Sequence, residues 1–239
     1  MTAGRAPSLD DARLARWARQ LLVPGFGEGA QERLAAARVR AVGAGGVTSP
    51  ALVYLVQAGI GRLWIDDPEH VSPQDVAGGA GSWLFPPSAV GRPRIEAAAE
   101  ALARLSRFVA VEAYPIGGVP DATLVAAPSA AQALHAAEAA RRAGIPHVVL
   151  EPDGDGGAVV SVPPGAPCYA CARSTSAGRP ALPGAAALTA LAAQELVLMI
   201  AVPGSVVGRR LDLVRGVLTT RATARLPGCA CGGGAPRAP

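Results

Sequence analysis

The chain has 239 residues, half of them apolar but only 4% aromatic, and a formal net charge of +4. That length fits one large domain or two small ones around an aliphatic, tightly layered core. All 22 basic residues are arginine, scattered without a dense basic run or interleaved aromatics, so nothing argues for nucleic-acid binding.

In chain order, "SLDD" (8–11) predicts a helix start with Ser8 as cap and Asp11 at the third position, and the helix runs through "DARLARWARQLL" to a break at "VPGFG". A second helix, 30–36, leads into a strand over Val39–Val42. A glycine turn then opens a helix from about Val47 to Ala58, with Pro50 in its first turn. "GIGRLWIDD" reads as a turn and a buried strand. The Gly/Pro-rich stretch 71–93 reads as a loop long enough to carry function. A helix over 94–106, the strands "FVAVEAYP" and "ATLVAA", a helix over 129–144 and the strand "PHVVLE" follow. Strands alternating with helices predict an α/β fold, a doubly wound Rossmann-like sheet with helices on both faces.

Beyond residue 150 the pattern changes. "GAVVSVPPG" is a strand, 185–201 an Ala/Leu-rich helix, and "RLDLV" with "VLTTRATARL" a meander, so the sheet is expected to be parallel in its first half and mixed in its second. The apolar window 185–202 carries Gln194 and Glu195 at its middle, which predicts no membrane span. The polar, acid-containing N-terminus predicts no signal peptide, and the expected location is the cytoplasm. The tail 233–239 is expected to be disordered.

Two motifs carry chemistry. The turn Gly43-Ala44-Gly45-Gly46-Val47-Thr48 follows a strand and opens a helix, and Asp66 and Asp67 close the next strand a little over twenty residues on. Glycines of this kind let backbone approach a phosphate, a helix N-terminus attracts it, and an acid at that distance meets a ribose hydroxyl. The competing reading is a turn that only packs a strand on a helix. The second motif is a pair of cysteine pairs, Cys168/Cys171 and Cys229/Cys231, able to give four thiolates to one tetrahedral Zn²⁺. The alternative is four buried, unreactive thiols. His70, His135 and His147 form no triad with a Ser or Cys.

Together these stretches resemble the ThiF/MoeB family, relatives of the ubiquitin-activating enzymes. "RWARQLLVPGFGEGAQERLAAARVRAVGAGG" is similar to that family's opening, "AGIGRLWIDDPEHVS" to its second strand, "VGRPRIEAA" to its Gly-x-Pro-Lys segment, and "PGAPCYACAR" with "LPGCACG" to its zinc pairs. The likeness spans roughly residues 13–232. It implies one adenylation domain over 1–232, with a nucleotide-binding half to about 150 and a zinc- and carrier-binding half from about 151.

The resemblance further implies ATP with Mg²⁺ rather than NAD, and adenylation of the C-terminal carboxylate of a small ubiquitin-fold carrier protein or peptide. Gly43, Gly45 and Gly46 would cradle the nucleotide and Asp67 bind its ribose, with Glu69 where a second acid stands. Arg19 would reach the phosphates of the partner subunit in a homodimer, and Arg94 occupies the phosphate-lysine position. Cys168, Cys171, Cys229 and Cys231 would hold a structural Zn²⁺.

The chain also departs from the family pattern. Its Asn-x-x-Arg is here Asp75-Val76-Ala77-Gly78, and its magnesium-binding aspartate falls at Pro128 or Ser129. Asp153 and Asp155 are acids nearby, at the wrong spacing to replace it. The expected activity is therefore weakened adenylation. The other reading is an inactive dimeric module that binds and presents a peptide or carrier.

Overall fold

The computed structural model describes residues 9–46, 48–77, 83–154, 156–173 and 184–232. Helix α1 (Asp11–Leu21) is capped by Asp10, whose carboxylate accepts the Arg13 amide at 2.8 Å. Ser8, the expected cap, lies outside the described residues. An acid at this position also meets the positive end of the helix dipole. Helix α2 (Gly27–Ala36) starts three residues before the predicted "AQERLAA".

Strands β1 (Arg38–Val42), β2 (Arg62–Asp66), β3 (Ala110–Ala113), β4 (Ala122–Val125) and β5 (His147–Asp153) are parallel; β6 (Gly156–Val162), β7 (Arg209–Val214) and β8 (Val217–Ala222) continue antiparallel. One eight-stranded sheet results, in the order β3-β2-β1-β4-β5-β6-β7-β8. It is parallel in the first half and mixed in the second, as the alternation predicted.

Helices α3 (Ser49–Ala58), α5 (Arg94–Ala103) and α8 (Gly184–Ala201) pack with α2 on one face around Leu52, Leu55, Leu63, Ile65, Leu124, Leu188 and Leu196. The other face carries α6 (Ala130–Arg142) and the short α7 (Tyr169–Ala172) over β4, β5 and β6. Strand alternation divides neighbours between the faces: Val148 and Leu150 join the larger core, and Val149 the smaller one. Over β1–β3 the second face is instead dressed by side chains, with the Arg38 guanidinium over Trp64 and that of Arg40 over Tyr114. Among the described residues, helices cover both faces over only part of the sheet.

Glu195, mid-way along α8, is buried. It is matched by the Ser161 hydroxyl at 2.7 Å and by the Arg209 guanidinium. A polar pair therefore tucks into the apolar helix. Among the described residues no helix is long and apolar enough to cross a membrane.

Candidate functional site: a nucleotide-type cleft and a four-cysteine cluster

Strand order reverses between β1 and β4, and in a doubly wound sheet the crevice at that switch is where ligands bind. A cleft of about 770 Å³ lies there, lined by the glycine turn after β1, the end of β2, and the Ala126–Ala131 segment that leads from β4 into the first turn of α6. Two helices, α3 and α6, begin at its edge, and the N-terminal dipole of each favours negative charge.

The turn's conformation follows from its neighbours. Gly43 has φ +90°, its amide donates to the Asp66 carbonyl at 3.0 Å, and a Cβ there would lie 2.5 Å from the Ala126 carbonyl oxygen. Only glycine lets β1 turn this close to β4. Thr48, at the third-glycine position, is buried, and its amide closes the turn on the Gly45 carbonyl at 2.9 Å.

Asp67 is 5% exposed. Its Oδ2 accepts the Ala44 amide at 2.7 Å and its Oδ1 the Glu69 amide at 2.9 Å. The expected ribose acid is thus also a brace of the glycine turn. A carboxylate has about four acceptor sites, so capacity remains toward the cleft that Asp67 helps to line. Glu69 lines the same cleft and is exposed.

The loop 71–93 brings the phosphate-position arginine to the turn. It contains helix α4 (Pro73–Val76) and a 3₁₀ turn at Pro87–Ala89, and it doubles back so that the Gly91 amide bonds the Val71 carbonyl and the Arg94 amide the Glu69 carbonyl. Arg94, the first residue of α5, then reaches two carboxylates: Nη1 donates to Asp67 Oδ2 at 3.4 Å, and Nη2 and Nε to Asp75 Oδ2 at 2.9 and 3.2 Å. Burial alone would lower the Arg94 pKa, but the two acids outweigh it and raise it.

Asp75 completes this network and was passed over in the sequence as a mere departure. It is 5% exposed; its Oδ1 accepts the Gly46 amide at 3.0 Å and its Oδ2 the Ser72 amide and hydroxyl, each at 2.8 Å. Burial pushes its carboxyl up, yet the Ser72 amide and the Arg94 guanidinium pull it further down, below the usual carboxylate range. The spacing Ser72-x-x-Asp75 carries a capping-box pattern and was the signal that could have found it.

At the far side, Ser129 caps α6, accepting the Gln132 amide at 3.3 Å, and Pro128 lines the cleft where the resemblance places a metal-binding acid. Asp153 is exposed at the end of β5 and is not among the cleft residues, and Asp155 and Gly78 lie outside the described residues. The acid on this side is Glu151, paired with the Arg210 guanidinium. Arg40, ion-paired with Asp66, and Arg173 also line the cleft, which carries five carboxylates and three guanidiniums among the described residues.

Arg19 sits exposed in the last turn of α1 and is not among the residues that line its own chain's cleft. That helix is fixed to the C-terminal end of α3 by the Trp17 indole N–H on the Gln57 carbonyl at 2.9 Å and by Gln20 on Ala58. Leu22 and Val23 follow, 82% and 52% exposed.

The second site is the cysteine cluster. Cys168 caps α7, Cys171 lies on it, and Cys229 and Cys231 follow β8 through a turn in which Gly228 has φ +75°. The four sulfurs lie within 4.8 Å of one another, with Cys168–Cys171 at 3.7 Å and Cys168–Cys229 and Cys171–Cys231 each at 3.6 Å. A tetrahedral ion with metal–sulfur bonds of about 2.3 Å sets sulfurs about 3.8 Å apart, so the four thiols can hold a metal ion. Burial pushes the Cys168 thiol up to about 12. The Leu226 amide also points to Cys171 Sγ at 3.4 Å.

Comparison with known proteins places this geometry. The ThiF family pattern matches residues 17–218. The chain is 42% identical over 101 residues to "Adenylyltransferase and sulfurtransferase UBA4" of Lodderomyces elongisporus, covering 42% of this chain and 22% of that protein. It is 40% identical over 103 residues to the "Sulfur carrier protein adenylyltransferase" of Thermus thermophilus, covering 43% and 37%. The matched stretch thus spans less than half the length of these relatives. Among solved structures, Escherichia coli MccB with ATP superposes with a TM-score of 0.77 at 20% identity, covering 98% of this chain and 77% of that one, a likeness of fold. With the pattern extending over most of its length, from the α1 tryptophan to the start of β8, the chain belongs to the ThiF family.

Proposed function

We propose that the chain binds ATP in the cleft and adenylates the C-terminal carboxylate of a small ubiquitin-fold carrier protein or peptide, at a weakened rate. One observation carries the reading: the glycine turn at the β1/β4 switch stands beside Asp67 and Arg94, under the N-termini of α3 and α6. Asp67 and Glu69 would take the ribose end. The turn amides and Arg94 would take phosphate oxygens, and they are aimed where negative charge grows as the carboxylate attacks the α-phosphorus and pyrophosphate leaves. Mg²⁺ would neutralise the triphosphate; Glu151 is the acid on the Pro128 side, already paired with Arg210. A second copy of the chain would supply Arg19 to this cleft, and the exposed Leu22 and Val23 beside it are suited to such a homodimer.

The four cysteines hold a structural Zn²⁺ in this reading. With every ligand position filled by thiolate, the ion carries no chemistry and ties the turn after β8 to α7. The absence of a long apolar helix among the described residues fits a protein that works in the cytoplasm.

A specific observation favours a second reading, a dimeric module that binds and presents a peptide or carrier without turnover. The acid at the Pro128 position is missing, and among the described residues that line the cleft carboxylates outnumber guanidiniums. Pyrophosphate exchange with candidate carriers decides between the two. Carrier-dependent exchange is expected if adenylation survives, and carrier binding with no exchange at millimolar ATP would establish the second.

A further inference from the structure

The two donors best placed for a phosphate are both taken by one side chain of the protein. Gly46 N–H, at the mouth of the glycine turn, points to Asp75 Oδ1 at 3.0 Å, and the Arg94 guanidinium lies along Asp75 Oδ2 at 2.9 Å. The carboxylate is held there from behind by Ser72 through two bonds of 2.8 Å. No gap is left between these groups: a Cβ added at Gly45 would stand 3.3 Å from both Asp75 Oδ1 and the Arg94 guanidinium carbon.

We propose that Asp75 is an internal anion seated in the phosphate end of the cleft, and that it sets the cleft's preference toward the nucleoside and away from the triphosphate. The inference rests on the reading of the cleft as a nucleotide site.

The physical reason is competition and repulsion together. A phosphate oxygen seeking the Gly46 amide or Arg94 must displace the carboxylate or stand beside it. In the first case Asp75 is left buried with two of its donors withdrawn, and in the second two anions share one desolvated corner. Nothing of the kind opposes an adenosine, whose ribose faces Asp67 and Glu69 and carries no charge to bring against Asp75. The Asn of the family pattern at this position is neutral; the change to Asp adds the charge and, with it, the competitor. Each charged hydrogen bond regained by phosphate contributes about 1.5–3 kcal/mol, or about 10- to 150-fold in affinity.

Calorimetry with ATP, AMP and adenosine, each with Mg²⁺, on the full chain and on Asp75→Asn tests this. The wild type should bind adenosine at least as tightly as ATP. Asp75→Asn should tighten ATP by about tenfold or more, AMP by less, and adenosine by less than about threefold. Should Asp75→Asn not fold, Asp75→Ser keeps a capping side chain without the charge, and the wild-type ranking stands as a test without any variant. ATP affinity unchanged in the folded variant, or an equal gain for adenosine, overturns the inference. So does a wild type that binds ATP tenfold tighter than adenosine; carrier-dependent pyrophosphate exchange would then still stand. No binding of any of the three to either protein overturns the inference and the nucleotide reading together.

Discussion

Consider Gly43→Ala, with Gly91→Ala as its control. Both glycines have positive φ, +90° and +85°, but a Cβ at Gly91 meets nothing within 4 Å, whereas at Gly43 it lies 2.5 Å from the Ala126 carbonyl oxygen. The strain of a positive φ on alanine costs about 1–2 kcal/mol at either site. At Gly43 the new methyl is also about 1 Å inside ordinary van der Waals separation, so the end of β4 must give way. The bond at risk is the Ala126 amide on the Val42 carbonyl, 2.9 Å long, which stitches β4 to β1 where the cleft opens. Losing it adds about 1 kcal/mol, for a total near 2–3 kcal/mol. For a chain of this size each kcal/mol lowers the melting temperature by about 2–4 °C. Gly91→Ala should therefore melt a few degrees below wild type and Gly43→Ala about twice as far below it. Differential scanning calorimetry reads both. Equal losses in the two variants would show that β1 and β4 do not approach so closely, and the account of the turn would fail.

Further outcomes are expected. Purified protein should contain one zinc per chain by elemental analysis, and Cys171→Ser should lower thermal stability while leaving ATP affinity nearly unchanged; a zinc content far below one per chain would contradict the assignment. Because the folded pKa of Asp75 lies below its unfolded value of about 3.9, its contribution to stability is present above that pH and is lost as pH falls through the folded value. The melting temperature of wild type relative to Asp75→Asn should thus be constant from pH 6 to 8 and decline below about pH 4; a difference that stays flat into acid would show the carboxylate to be unpaired. Sedimentation at micromolar concentration should give the mass of a dimer, and a monomer would remove Arg19 from the site.

Much of this architecture was legible in the sequence because local rules and tertiary needs coincide. "ARVRAVGAGG" is apolar where β1 is buried and glycine where the backbone must turn at positive φ, and the cysteine spacing survives as a sulfur cluster. What escaped were pairings between distant segments. The capping-box spacing in "VSPQDV" ties its aspartate to Ser72 but not to Gly46, because that contact depends on how 71–93 doubles back onto Arg94. The spacing set Asp153 aside as a replacement acid, but it did not point to Glu151, which β5 places in the cleft. The helix cap moved from Ser8 to Asp10 since either residue type can accept an N-terminal amide, and sequence alone does not choose between them.

The sheet's division into two kinds of pairing also bears on how the chain reaches its native state. β5 with β6 and β7 with β8 pair antiparallel across short links, Arg215–Gly216 in the second case, so hairpin contacts there close early, whereas β6 and β7 meet only across α7 and α8. The cleft forms differently: Val39 must find Ala122 across the whole of α3, β2, α5 and β3 before β1 and β4 stand side by side. Closing so long a loop is entropically slow, and until it closes the glycine turn faces no Ala126. The binding crevice thus forms later than either of the two hairpins, β5–β6 and β7–β8.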